Sequence, residues 1–438
     1  MLAFTSKNKF AAPVGFALVL LSLIAAQIVA ATPVISLFFV GLAISLLLFF
    51  RLDTAAVMLL SLPFSVNINP FPLWEQVILP WYVFTVILTA DVGFRARQQL
   101  KELFWRLRWF SLLFIGLMSV TSLSFFYAPE PSVPIFVQSL VTLTSSFLGL
   151  ILGYWSLIFG GPIRRRQLLN ALVFSPVWIP AYWLAQRVQS GEIERLGFPL
   201  GSPNTIPITL LIGVFALSFL RRHVLTPPSS LWYLPLLAGI LATQTRAALL
   251  ALIVFIFVSV VTDLFHATKK PLKETFLLGG LTLGLYLLWW LSARSPERAR
   301  FTEPFSSLES FSSVDPRIAA WEESWEMFLT NPITGIGVGH GTQIEVLRDP
   351  HSVWVTLLLE TGIVGTVFLF CLLLVTVRVY MATTPVGLSF TLLAVACGIA
   401  TVLAFDSSWD YQILWWACGL ALGTATLRKE TAPTARSS

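Results

Sequence analysis

Hydrophobic residues in this chain gather in long blocks, each closed by a short cluster of charged residues, glycine, proline or asparagine. Blocks of about twenty apolar residues match the length at which an α-helix crosses ~30 Å of hydrocarbon. The pattern predicts fourteen candidate spans, at 11–30, 33–50, 54–66, 76–92, 109–127, 134–159, 168–186, 203–220, 229–245, 246–264, 273–292, 361–380, 386–404 and 409–427. The third and ninth are short for a crossing. The expected fold is therefore an all-α polytopic membrane protein of about 12–14 transmembrane helices. It divides into a transmembrane bundle over 1–292 with about 11 spans, one large loop over 293–360, and C-terminal spans with a short tail over 361–438. Lys7 and Lys9 precede the first block and small residues close it, as in a secretory signal, but its apolar stretch is long for a signal and sufficient for a span.

Composition agrees, at 56% hydrophobic, 13% aromatic and 11% charged residues, far more apolar than a soluble globular chain. Placement explains the net charge of +6. If the N-terminus is cytoplasmic, the inside segments hold 20 of the 28 basic residues, every lysine among them, and the outside segments hold 16 of the 22 acids. That bias is the positive-inside rule, so the excess charge orients helices and predicts no nucleic-acid partner. Arg164, Arg165 and Arg166 read as topogenic on the same ground. The three cysteines lie in apolar blocks without metal-ligand or redox spacing.

The outside loop 293–360 is too long and too rich in arginine and histidine to be a simple connection. Within it, "DPRIAAWEESWEMF" reads as a helix from Asp315, with Ile318, Trp321, Trp325 and Phe328 on one face, lying at the headgroup level. "NPITGIGVGHG" follows, its glycines at 335, 337, 339 and 341 serving either tight turns or close approach of backbone to a ligand. It follows no strand, which argues against a nucleotide loop. Asp349-Pro350-His351 then repeats the design of Asp315-Pro316-Arg317 and predicts a second helix start, with His351 at the second helical position.

At such a start the helix dipole helps Arg317 hold an anion and keeps the His351 imidazole neutral, able to accept a proton. The bland alternatives are a solvated arginine and a polar turn residue. Arg246, opening a span in "TQTRAALLAL", either snorkels to the interface or binds an anion.

The ordered set "TQTRAALLAL", "DPRIAAWEESWEMFLTNPITGIGVGHG" and "DPHSVWVTLLLETGIVG", over about residues 240–380, resembles the bacterial O-antigen ligase and O-antigen polymerase superfamily. That family shows an arginine opening a span, a second ahead of N-P-x-x-G-x-G, and a histidine before a helix ending in E-x-G-x-x-G. Here Ser352 stands where the family often has Asn, which puts the local hydrogen-bond network in doubt.

The resemblance implies an inverting glycosyltransferase with a glycosyltransferase C-like fold, independent of metal and cofactor, in the bacterial inner membrane. Its active site would be periplasmic and its termini cytoplasmic. The donor would be a glycan on undecaprenyl diphosphate and the acceptor lipid A–core, with His351 as base and Arg246 and Arg317 on the diphosphate. Asn204 matches a weaker family feature. Arg195, His340, Asp406 and Asp410 are secondary candidates for substrate contact, each with an ordinary reading as a loop residue. A polymerase using a second carrier-linked repeat is the close alternative. A protein O-oligosaccharyltransferase often carries a longer soluble C-terminal part, and a lipid-glycan transporter would place ionisable residues mid-span.

Overall fold

The computed structural model describes residues 97–127, 133–159, 205–223, 228–265, 269–292, 315–339, 350–383 and 386–404, with parts of 168–183 and 415–423. The predicted spans at 11–30, 33–50, 54–66 and 76–92 lie outside the described residues. Among these residues the chain is helical and has no strand. The helices are α1 (Arg97–Arg106), α2 (Arg108–Tyr127), α3 (Val133–Ile158), α4 (Thr205–His223), α5 (Tyr233–Ala242), α6 (Arg246–Phe265), α7 (Lys269–Ser292), α8 (Asp315–Thr330), α9 (Val353–Thr383) and α10 (Val386–Leu403). Helices α2, α3, α4, α6, α7 and α10 fall within a few residues of predicted spans.

Among the described residues, five stretches are long and apolar enough to cross a bilayer, on α2, α3, α6, α7 and α9. The ninth predicted span is shorter in the structure than its apolar block. Its helix α5 has only 10 residues, about 15 Å at 1.5 Å per residue, or half the hydrocarbon thickness. It is a buried strut instead, with Tyr233, Leu236, Leu237 and Ile240 inside the core. The apolar window of α9 begins at Val353, eight residues ahead of the predicted span start at 361.

Two large apolar clusters form among the described residues, beside a small one of Ile336 and Leu359. One gathers α4, α5 and α6 around Leu210, Tyr233 and Phe255, and the other gathers α2, α3 and α9 around Leu117, Leu150 and Leu357. Helix α3 is the more central, with 78% of its crossing window buried against 17% for α7. Close crossings rely on absent side chains. A Cβ on Gly398 of α10 would lie 2.8 Å from the Phe215 ring and 3.3 Å from the Ala251 carbonyl oxygen of α6. Helix association in lipid rests on such close packing.

The basic end of α4, Arg221 and Arg222, counts among the inside charges and also ties helices together. Arg221 donates to both Glu274 oxygens of α7, at 2.7 and 2.8 Å, and to the Pro228 carbonyl at 2.7 Å. Arg222 is more deeply placed: its side chain is 1% exposed, with Nη2 lying 3.2 Å from Oδ2 of Asp263 on α6. Arg222 also donates to Thr275 of α7, whose hydroxyl in turn donates to Asp263 at 2.7 Å. Removing the cation would strand a buried carboxylate. Arg222→Met is therefore expected to destabilise the protein by about 3–5 kcal/mol, and Arg222→Met/Asp263→Leu to recover most of it. Thermal unfolding of the full chain in detergent reads both.

Candidate active site at the start and break of α9

Helix α9 begins after Ser352, whose carbonyl accepts the Thr356 amide at 2.9 Å, and its regular geometry breaks at Gly362, with φ 64 and ψ −168. An unbroken helix would pair the amides of Ile363 and Val364 with the carbonyls of Leu359 and Glu360. The glycine loop takes over both pairs. The Ile336 and Gly337 amides donate to Leu359 and Glu360 at 2.9 and 3.0 Å, while Ile363 and Val364 donate to Pro332 and Ile333 at 2.9 and 3.3 Å. Two helical bonds are thus exchanged for four to the loop. Hydroxyls help: Thr361 donates to the Leu357 carbonyl at 2.7 Å and Thr366 to that of Gly362 at 2.8 Å. Irregular backbone within an apolar span is tolerated only when its polar groups are satisfied in this way.

This splice explains the glycines. Gly335, Gly337 and Gly339 have φ of 73, 102 and 83, in the left-handed region. A Cβ on Gly335 would meet the Glu360 carbonyl carbon at 2.4 Å, and one on Gly362 would meet the Ile333 oxygen at 2.3 Å. The positive φ values fit the tight turns expected for these residues, and the close approach seen at Gly335 is to the α9 backbone. Gly341 lies outside the described residues.

Helix α8 begins at Asp315 as predicted and joins the same assembly. The indole of Trp321 donates to the Pro350 carbonyl at 2.8 Å. Arg317 lies one turn earlier on α8, and His351 directly follows Pro350. One hydrogen bond thus joins the two segments that carry them. Val338 is tied further back, its carbonyl accepting from Ser139 of α3 at 3.3 Å. The exposed face of α8 carries Ile318, Trp321, Trp325 and Leu329, in keeping with a headgroup-level helix. Phe328, expected on that face, is instead 5% exposed and belongs with Ala320 and Ser324 on the face turned inward.

The predicted symmetry of two helix starts does not hold. Arg317 is the third residue of α8, whereas His351 lies two residues ahead of Val353, outside the first turn of α9. Its φ is 46, a left-handed conformation costly for a residue with a Cβ. Ser352 therefore occupies the N-cap, and the inference that the dipole of α9 keeps His351 neutral loses its premise. What replaces it is local strain: a half-buried histidine at positive φ, between the Trp321–Pro350 bond and the start of α9.

Arg246 is the first residue of α6 and half-buried, as the sequence placed it. Helix α5 stops at Thr243, whose amide donates to Gly239 at 3.1 Å. Gln244 turns the chain with φ 51, and the Thr245 carbonyl accepts the Leu249 amide at 3.3 Å to open α6. Arg195, Asn204, His340, Asp406 and Asp410 lie outside the described residues.

Three features escaped the sequence reading: the Trp321 indole bond, the break at Gly362, and the burial of Glu360, 3% exposed beside that break. A glutamate and a glycine inside an apolar run were the available signal for the last two.

Residues 231–370 match the family model described as O-antigen ligase. No curated protein matches the chain. The matched stretch covers about a third of the sequence, running from the start of α5 well into α9, and contains Arg246, Arg317, the glycine loop, His351 and the helix break. Over this stretch the chain is similar to the O-antigen ligase family.

Proposed function

We propose that this chain is an inverting glycosyltransferase of the ligase type, moving a glycan from undecaprenyl diphosphate to lipid A–core on the periplasmic face of the inner membrane. An acceptor hydroxyl attacks the anomeric carbon and its proton passes to His351. The bond from that carbon to the diphosphate oxygen breaks, and the lipid diphosphate leaves as an anion. Arg246 and Arg317 hold that anion, because guanidinium stays charged and offers fixed paired donors, so no divalent metal is called for. The family match over 231–370 supports a ligase or polymerase chemistry in general. The observation that carries the assignment of residues is the joint from Trp321 to Pro350, which sets the segments of Arg317 and His351 side by side.

Reconstitution of the full chain with a carrier-linked glycan, offered lipid A–core or a second carrier-linked repeat, tests the reading. Capped lipid A–core is the expected product, whereas lengthened carrier-linked chains would make it a polymerase. Arg246→Ala and Arg317→Ala are each expected to lower kcat/KM by about 10²–10³, and unchanged rates would remove the arginines from the diphosphate site.

A further inference from the structure

The hydrogen-bond pattern of α1 continues into α2, with Leu107 donating to Leu103 at 2.9 Å and Ser111 to Leu107 at 2.8 Å. The pair is interrupted only at Leu107 and keeps its buried positions in helical spacing across it, so residues three, four and seven apart share a face. The inner face is Leu103, Leu107, Phe110, Phe114 and Leu117, all buried. The opposite stripe is exposed and ordered by chemistry. Phe126, Leu123, Ile115 and Leu112 are 77%, 53%, 59% and 57% exposed. They give way to Arg108, whose guanidinium lies 5.2 Å from the Trp105 ring and 5.6 Å from the Trp109 ring. Lys101 follows two turns further out, about 10 Å along the axis.

Both cations are exposed, and neither has an acidic partner among the described residues. The nearby Glu102 is already neutralised by Arg106, at 2.7 Å. The sequence of surfaces, aliphatic, then tryptophan, then cation, is that of a glycerophospholipid from acyl chain through interface to headgroup phosphate.

We infer that the α1–α2 stripe is a binding site for an anionic glycerophospholipid. Its acyl chains lie on Leu112 and Ile115, its phosphate meets Arg108 between the two indoles, and Lys101 meets the outer headgroup. Charge complementarity selects the anionic class, because a zwitterionic headgroup brings an ammonium beside two unpaired cations. The cation–π contacts hold Arg108 at the level of the indoles instead of letting it swing into water.

Native mass spectrometry of the intact protein, released from detergent with equimolar phosphatidylglycerol and phosphatidylcholine, tests this site. The wild type should retain phosphatidylglycerol preferentially. Lys101→Gln/Arg108→Gln should cut that preference by about tenfold to thirtyfold. Trp105→Ala/Trp109→Ala should weaken it with the charge unchanged. Lys273→Gln, which removes an exposed cation at the start of α7, should leave it intact. Thermal unfolding confirms that each variant is folded. An unaltered preference in the double glutamine variant would overturn the proposal, as would an equal loss in Lys273→Gln. A change in oligomeric state with lipid retention unchanged would also overturn it, assigning the stripe to a protein contact.

Discussion

Gly335→Val is expected to abolish transfer and to lower the unfolding midpoint of the whole chain. A side chain there would start 2.4 Å from the Glu360 carbonyl carbon and 2.5 Å from its oxygen, on backbone that has no room to retreat. The φ of 73 adds a conformational cost that a β-branched residue cannot avoid. Relief of both requires the loop to lift off α9, which breaks the four interchange hydrogen bonds at the Gly362 break. Each backbone group then stranded in an apolar setting costs about 1–3 kcal/mol. The expected loss is therefore about 3 kcal/mol or more, together with the registration of α8 against His351. Gly280→Ala on α7 is the control, because a Cβ there meets nothing within 4 Å. It should be neutral or slightly stabilising, since alanine is the better helix former. Near-equal midpoints and activities for the two variants would show that the splice contributes nothing.

Much of this arrangement was legible before the structure. Apolar block length placed α2, α3, α4, α6, α7 and α10 because a bilayer imposes one helix length and permits little else. Asp-Pro opened α8 where capping chemistry places a helix start. The same dipeptide misled at 349–350, because the cap belongs to Ser352, and a left-handed His351 intervenes between the proline and the helix. Local propensity cannot register that outcome, since the segments on either side are held by long-range contacts, Pro350 by Trp321 and α9 by the glycine loop. Phe328 was misassigned for a related reason. Period alone put it with the tryptophans, but only the partner surface determines which edge of a broad apolar stripe turns inward. The glycines were read as serving tight turns or the approach of a ligand; their positive φ fits the turns, and the group packed against Gly335 is α9 itself. Arg222 shows the converse case, a residue explained by loop charge that also completes a buried ion pair.

His351→Gly is expected to reduce the transfer rate by about 10²–10⁴, the range supplied by a positioned general base, while leaving the protein as stable as the wild type or more so. The two effects separate because histidine at φ 46 is conformationally strained and glycine is not. If the side chain served only to punctuate the turn before α9, glycine would do that better. His351→Asn makes the same distinction with a residue that tolerates the left-handed region and cannot take a proton near neutral pH. The decisive measurement is the rate of lipid diphosphate release and glycan capping by wild type, His351→Gly and His351→Asn, each reconstituted at equal amounts of folded protein. Intact thermal midpoints are expected in both variants, with transfer lost by at least about a hundredfold. Wild-type transfer by either variant would contradict it and return His351 to the role of a turn residue.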